Sequence, residues 1–136
     1  MFGAYDLERD TLVGTFSSKK NGTTFLEFLQ WLRRQYPRKE RLHVILDNAT
    51  YHHKAEVLAY AAGHNIRFYW TPTNASWLNR IECHFTALKK FALDNTDYCS
   101  HAEQQQAIEQ YLSYRNGKRD LSLQSWKTYR RHKKAA

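Results

Sequence analysis

The sequence predicts an α/β fold in which a mixed β-sheet carries an antiparallel hairpin on one side and is flanked by helices. Two observations support this prediction. Short β-rich runs alternate with helical patterns in the order β-β-α-β-α-β-α-α, which is typical of α/β sheets. Residues 43–47 (HVILD) are also almost continuously apolar, the pattern of a parallel strand buried on both faces. The 136 residues are enough for one domain with a substantial core.

The first half of the chain contains the hairpin and the first helix. Residues 2–16 form two β-rich runs on either side of a charged turn at residues 8–10, so we expect a hairpin. Residues 22–24 (GTT) can begin a helix, because the FLEFLQWLRRQY segment that follows places its apolar residues on one helical face. Pro37 and a charged loop end this helix before the buried strand.

The second half alternates strand and helix again. Residues 54–62 predict a helix closed by Gly63, and residues 65–70 (NIRFYW) predict a strand halted at Thr71-Pro72. Residues 77–93 have apolar residues at helical spacing, so we expect a helix that begins near Ser76.

Ser100 is expected to cap the last helix. Glu103 stands three residues further on and completes a capping-box pattern. The apolar residues expected on the inner face of this helix are Ile108 and Leu112.

The charge of the chain indicates a polyanionic partner. Lys and Arg number 21 against 13 Asp and Glu, which gives a net charge of +8 and an isoelectric point near 9.6. Nucleic acid is the leading candidate, although many basic domains are merely soluble. An aromatic content of 15% with four Trp argues against a disordered chain.

The cysteines and the hydropathy exclude several classes of protein. Cys83 and Cys99 form no CxxC pair, so a zinc framework is not expected. A reducing intracellular compartment fits this cysteine usage, while a single disulfide stays open. No apolar run approaches transmembrane length, and the N-terminus lacks a signal-peptide pattern.

Two acids are candidates for catalysis. Asp47 ends the buried strand, and functional groups gather beyond the carboxyl ends of parallel strands. Judged alone, it is more often a turn-forming residue. Glu82 falls in the first turns of the helix beginning near Ser76, where a lone acid is usually solvated and favoured by the helix dipole. Adjacent strands would bring the start of this helix towards the carboxyl end of residues 43–47. Two carboxylates that converge at that strand end could hold Mg²⁺ (or Mn²⁺) for phosphoryl transfer.

The segments that carry these acids resemble a known family. VILDNATYHH followed by PTNASWLNRIECHFTALKKF resembles the catalytic domain of DDE transposases, most closely the bacterial insertion-sequence branch of the mariner-like superfamily. In this resemblance Asp47 matches the second family acid and Glu82 the third, with the 34 intervening residues that are typical of the superfamily. The similarity covers roughly residues 2–116.

The resemblance implies a ribonuclease H-like fold and metal-dependent DNA cleavage and strand transfer at transposon ends, with transposon and target DNA as partners. It also implies a cytoplasmic, nucleoid-associated bacterial protein. His52 is favoured as a neighbour of the site, where it could orient a phosphate, or it packs at the start of a helix. Asn48 and Asn79 could hydrogen-bond the acids or the DNA backbone, but turn and capping roles explain them equally well.

One family position has no counterpart in this sequence. The first catalytic Asp of the family lies on a strand before the hairpin, whereas Met1 begins with the hairpin itself. Asp6 falls on the wrong strand to replace it. We therefore expect a truncated or split transposase that lacks the first strand and is weakly active or inactive as a nuclease. The alternative is a catalytically inactive remnant that acts as a basic DNA-binding or oligomerising module, with homodimers possible through the exposed hairpin edge.

Basic residues outside the motif are candidates for phosphate contacts. Lys89 and Lys90 lie on the Glu82 helix, although a solvated helix face would also explain them. Residues 1–116 are expected to form the DDE domain and residues 117–136 a basic tail. The segment 115–136 holds eight Lys or Arg and one acid with interleaved aromatics, which suits either nucleic-acid contact or a solubilising tail. The candidate contact residues there are Arg115, Lys118, Arg119, Lys127, Arg130 and Arg131.

Overall fold

A computed structural model describes residues 1–75, 78–94 and 96–117 of the chain. The elements follow in the predicted order, with a short 3₁₀ helix added after the third strand. They are β1 (Phe2–Asp6), β2 (Thr11–Thr15), α1 (Gly22–Arg34), β3 (Leu42–Leu46), the 3₁₀ helix (Thr50–His53), α2 (Ala55–Gly63), β4 (Ile66–Trp70), α3 (Ile81–Ala92) and α4 (His101–Asn116).

The strands pair in two small sheets. β1 pairs with β2 as the predicted hairpin, and β3 pairs with β4 in parallel. The mixed α/β class is therefore confirmed. In the described part of the chain, however, the sheet predicted as a single layer is two two-stranded sheets. None of the helices described has the length and apolar composition needed to span a bilayer.

The chain divides into two compact units. One consists of Met1, residues 3–16 and the described residues between Arg80 and Gly117, and is called the hairpin unit below. The other consists of Phe2 and residues 17–79, and is called the parallel-strand unit.

The core of the hairpin unit forms between β2 and the two C-terminal helices. Its buried cluster consists of Leu12, Leu88, Ala92, Ile108 and Leu112. The inner face predicted for α4 is thereby confirmed. The chain also has to pass close to α3, because a Cβ at Gly3 would lie 2.8 Å from the ring of Phe85. Only glycine fits there without a shift of the ring.

The predicted cap of α4 is confirmed with one difference. The Ser100 Oγ accepts a hydrogen bond from the Glu103 N–H at 3.2 Å, as expected. The Glu103 carboxylate accepts from the Cys99 N–H at 2.9 Å, one residue before the cap. The box therefore closes on the preceding residue and still satisfies two backbone donors at the helix start. Cys99 and Cys83 are both exposed free thiols.

In the parallel-strand unit, α1 begins where the sequence predicts. The Asn21 side chain accepts from the Thr24 N–H at 2.9 Å, and the Thr24 hydroxyl accepts from the Asn21 N–H at 3.2 Å. At the other end of the helix, the buried Arg33 donates to the carbonyl oxygens of Tyr36, Pro37 and Glu40. These bonds satisfy backbone acceptors in the charged loop, so the loop that leads into β3 is fixed by a side chain.

The register of β3 and β4 pairs Leu42 with Ile66 and Leu46 with Trp70. The prediction that this strand is buried on both faces is wrong, because Ile45 is 48% exposed. Inward-facing Leu42 and Leu46 are buried instead, so burial alternates along the strand. The strand also ends at Leu46, one residue earlier than predicted, and Asp47 is the first residue beyond it.

Candidate functional site

The candidate site begins at the carboxyl ends of the two parallel strands. Asp47 follows β3 and Thr71 follows β4, so both leave the sheet at the same edge. The Thr71 N–H donates to the Leu46 carbonyl at 3.0 Å, and the Asn48 Nδ2 donates to the Thr71 carbonyl at 2.5 Å. Asn48 is therefore placed on the backbone of the neighbouring strand end. It holds the two loops together at the point where Asp47 emerges.

Asp47 makes a turn and stays accessible. Its Oδ1 accepts a hydrogen bond from the Ala49 N–H at 3.1 Å, which is the Asx turn expected of an acid at a strand end. The side chain is nevertheless 49% exposed. A dissolved cation can therefore reach this carboxylate, so the turn role and the catalytic role are compatible in the same residue.

His52 is buried beside Asp47 and restrains it. Its Nδ1 lies 3.0 Å from the Asp47 backbone oxygen and 3.0 Å from the Asp47 Oδ1. Both partners are acceptors when the carboxyl is ionised, so Nδ1 must carry the hydrogen and donate to them. The ring centroids of Phe25 and Tyr51 each lie 4.4 Å from that of His52, which is only 7% exposed.

This packing shifts the pKa values of His52 and Tyr51. Burial lowers the pKa of His52, against the opposing effect of its hydrogen bonds to Asp47. A neutral imidazole is thus the favoured donor to the Asp47 carboxylate. Burial raises the pKa of Tyr51, with a smaller contribution from the negative charge of Asp47, so the phenol keeps its proton. Sequence reasoning named His52 as a neighbour but gave no sign of the rings that enclose it.

A stacked pair lies at the same strand ends. The rings of His53 and Trp70 are 3.9 Å apart between centroids and inclined by 19°. His53 is exposed, and Trp70 is the last residue of β4. Trp70 was not among the residues predicted for the site. The available signal was its position, because an aromatic residue that ends a parallel strand stands at the edge where Asp47 also emerges.

Glu82 lies in the hairpin unit, in the first turn of α3, and is exposed. The helix begins at Ile81 and not near Ser76 as predicted, and Ser76 itself lies outside the described residues. Leu78, one of the apolar residues within the predicted range 77–93, precedes the observed helix and is mostly exposed. Asn79 lies half-buried in the bend before α3. At its new position Glu82 is even closer to the helix N-terminus, which favours its negative charge.

The structure separates the predicted cationic residues into three groups. Lys89 and Lys90 are exposed in the last turn of α3 and can meet a phosphate. Arg115 donates to the Asp10 carboxylate at 2.6 Å and to the Asp10 backbone oxygen at 2.7 Å, so its guanidinium is already engaged. The other predicted contacts lie outside the described residues; they are Lys118, Arg119, Lys127, Arg130 and Arg131.

The chemistry of the two acids fits a hard divalent cation. Carboxylate oxygens are the ligands that Mg²⁺ and Mn²⁺ prefer, and both side chains are accessible. Asp47 belongs to the parallel-strand unit and Glu82 to the hairpin unit. Within the residues that the structure describes, no three metal-ligating side chains group together. A Mg²⁺ ion held by a single carboxylate keeps several water ligands, so each acid by itself has the chemistry of a Mg²⁺ ligand.

A comparison with protein-family models gives a match over most of the chain. Residues 1–106 match the family model of the DDE superfamily endonucleases. The matched range contains Asp47, Glu82 and the whole segment between them. A comparison with curated proteins gives no match.

Proposed function

The chain belongs to the DDE superfamily endonucleases, and we propose that it is a transposase catalytic domain of the bacterial insertion-sequence branch of the mariner-like superfamily. Its reaction would be metal-dependent cleavage of DNA and strand transfer at transposon ends. The observation that carries this proposal is the setting of Asp47. It follows a parallel strand, lies within the family match, is half-exposed, and is held by a buried imidazole.

Asp47 and Glu82 are the proposed ligands of Mg²⁺ or Mn²⁺. When bound, such an ion activates an attacking water or hydroxyl and stabilises charge on the departing oxygen. His52 acts as a positioning residue in this scheme, because its Nδ1–H holds the Asp47 carboxylate in one orientation. The rings of Phe25 and Tyr51 shield that hydrogen bond from water, which strengthens it.

DNA is the proposed substrate. The net charge of +8 favours a polyanionic substrate. Lys89 and Lys90 also offer exposed ammonium groups on the same helix as Glu82, seven and eight positions after it. Cations of the segment 117–136 are proposed to add phosphate contacts. Binding of this kind weakens steeply as salt is raised, because neutralising each phosphate releases counterions.

Nicking of supercoiled plasmid tests the proposed reaction. We expect the chain to nick DNA slowly with Mg²⁺ or Mn²⁺ and not with EDTA, and we expect Asp47→Asn and Glu82→Gln each to abolish nicking. Asp94→Asn is the matched control, since Asp94 is an exposed acid beyond the end of α3 and should leave the rate unchanged. Equal nicking by the wild type and Asp47→Asn would contradict the assignment.

A second function is a basic module that binds DNA or oligomerises without cutting. The charge of +8 favours it, as does the lack of three grouped metal-ligating side chains among the described residues. The two functions differ in one result. The second predicts tight, salt-dependent DNA binding by wild type and Asp47→Asn alike, with no nicking by either. Sedimentation of the free chain shows whether it also forms a homodimer.

A further inference from the structure

The outward face of the β3–β4 pair is unusual in its composition. The side chains that point outward are His43 and Ile45 on β3, and Arg67 and Tyr69 on β4. All four are exposed, with Ile45 at 48% and Tyr69 at 40%. The face therefore combines two aromatic rings, one aliphatic side chain and one guanidinium, and it holds no acid.

The polar members of this face order one another. The Tyr69 hydroxyl and the His43 Nδ1 are 2.9 Å apart, and their rings are inclined by only 30° with centroids 5.6 Å apart. The Arg67 guanidinium lies 5.5 Å from the centroid of the Tyr69 ring, within the range of a cation–π contact. These contacts restrain three long side chains before any ligand arrives, which lowers the entropic cost of binding one.

The charge of the face selects its occupant. Arg41 is exposed two residues before His43, and its Nε donates to the Asn65 Oδ1 at 3.0 Å. Two guanidinium groups thus flank the rings without an acid among the outward positions. Exposed rings with neighbouring cations suit unpaired bases, which stack on aromatic side chains while Arg meets the phosphates.

We propose that this outward face binds a single strand of nucleic acid, with a base stacked on Tyr69 and a phosphate bound by Arg67, and leads the strand towards Asp47. Asp47 lies four positions along the chain from His43, which is about 13 Å at the rise of a β-strand, so a strand of a few nucleotides can reach from one to the other. The role of this strand as substrate rests on the proposed function of Asp47. Binding to the face does not rest on it.

Fluorescence anisotropy of a labelled 12-nucleotide oligo(dT) with the full chain in EDTA measures this binding. We expect Tyr69→Leu and Arg67→Gln each to weaken binding by about tenfold, because a stacked base contributes that much or more. Matched controls are Tyr114→Leu and Arg38→Gln, which make the same chemical changes at exposed positions outside the face. Both controls should bind within about twofold of the wild type.

Two further variants separate the possible failures. Tyr69→Phe keeps the ring and loses the bond to His43, so it should retain most of the binding and guards against a folding defect in Tyr69→Leu. Asp47→Asn should bind oligo(dT) like the wild type even if it abolishes nicking, so failure of the proposed function is seen separately. The inference is overturned if the wild type does not bind oligo(dT), or if Tyr69→Leu and Arg67→Gln bind as tightly as the wild type. Self-association that Tyr69→Leu abolishes would likewise overturn it, since the face would then be a protein interface.

Discussion

Asn116, the last residue of α4, occupies the place of a neighbouring strand beside β2. Its Oδ1 accepts from the Leu12 N–H at 2.9 Å, and its Nδ2 donates to the Leu12 carbonyl at 2.6 Å. Leu12 is completely buried. One side-chain amide therefore satisfies both backbone groups of a core residue, in the manner of a strand ladder. Asn116→Ala removes both partners at once.

The structure sets the size of this effect. A buried backbone group left without a partner costs about 1–3 kcal/mol, and two groups are affected. Alanine returns roughly 0.5 kcal/mol through its higher helix propensity, and water reaches the helix end in part. We therefore expect Asn116→Ala to lower the free energy of unfolding by about 2–4 kcal/mol. Asn116→Asp should be at least as harmful, because it turns a charged oxygen towards the Leu12 carbonyl.

Urea unfolding of the full chain, followed by circular dichroism, measures the change. Gln110→Ala is the matched control, since Gln110 is exposed on the same helix and its loss should alter stability by less than about 0.5 kcal/mol. An Asn116→Ala protein as stable as the Gln110→Ala control would refute the assignment of these hydrogen bonds.

Three further outcomes follow from the packing and the charges. The Arg115 guanidinium holds the pKa of Asp10 below its ordinary value, so Asp10 stabilises the fold above that value and loses this effect as pH falls through the lowered pKa. Asp10→Asn should therefore flatten the acid decline of stability in urea titrations from pH 7 to 3, and an unchanged decline would contradict the ion pair. Burial lowers the pKa of His52. The neutral imidazole therefore contributes fully to the stability of the fold above its ordinary pKa of 6.5, and this contribution is lost as the pH falls through the lowered pKa. An NMR titration midpoint of His52 at or above 6.5 would contradict this direction. Trp31 is 1% exposed, and Trp31→Ala should cost about 3–5 kcal/mol in the same urea assay, against less than about 1 kcal/mol for the control Leu58→Ala, whereas equal losses would contradict the burial.

Local patterns in the sequence predict much of this fold. Ser100 and Glu103 mark the start of α4, and the spacing of Ile108 and Leu112 identifies its inner face, because capping and helical periodicity act over three or four residues. The position of Asp47 at the end of β3 is also predicted by a local pattern, because this residue directly follows an apolar run. Each of these features depends on neighbours in the chain, which the sequence displays directly.

Features that depend on distant residues were missed. The contacts of Asn116 with Leu12 and of Arg115 with Asp10 join residues more than 100 positions apart. No local sequence pattern predicts such contacts. The exposure of Ile45 was missed because an apolar run shows that a strand can be buried but not which of its faces is covered. The position of His52 near Asp47 could be predicted, because the two residues are five positions apart. Its burial could not be predicted, because the ring of Phe25 that covers it lies on α1.

Paramagnetic broadening by Mn²⁺ tests most directly whether Asp47 and Glu82 ligate the same cation. In the NMR spectrum of the full chain, substoichiometric Mn²⁺ should broaden the amide resonances of Asn48 and Cys83 together, since each follows one of the two acids. Asp47→Asn should remove the broadening at both positions, because a single carboxylate binds the ion weakly. Broadening at only one position, or broadening at Cys83 that survives Asp47→Asn, would contradict a shared metal site.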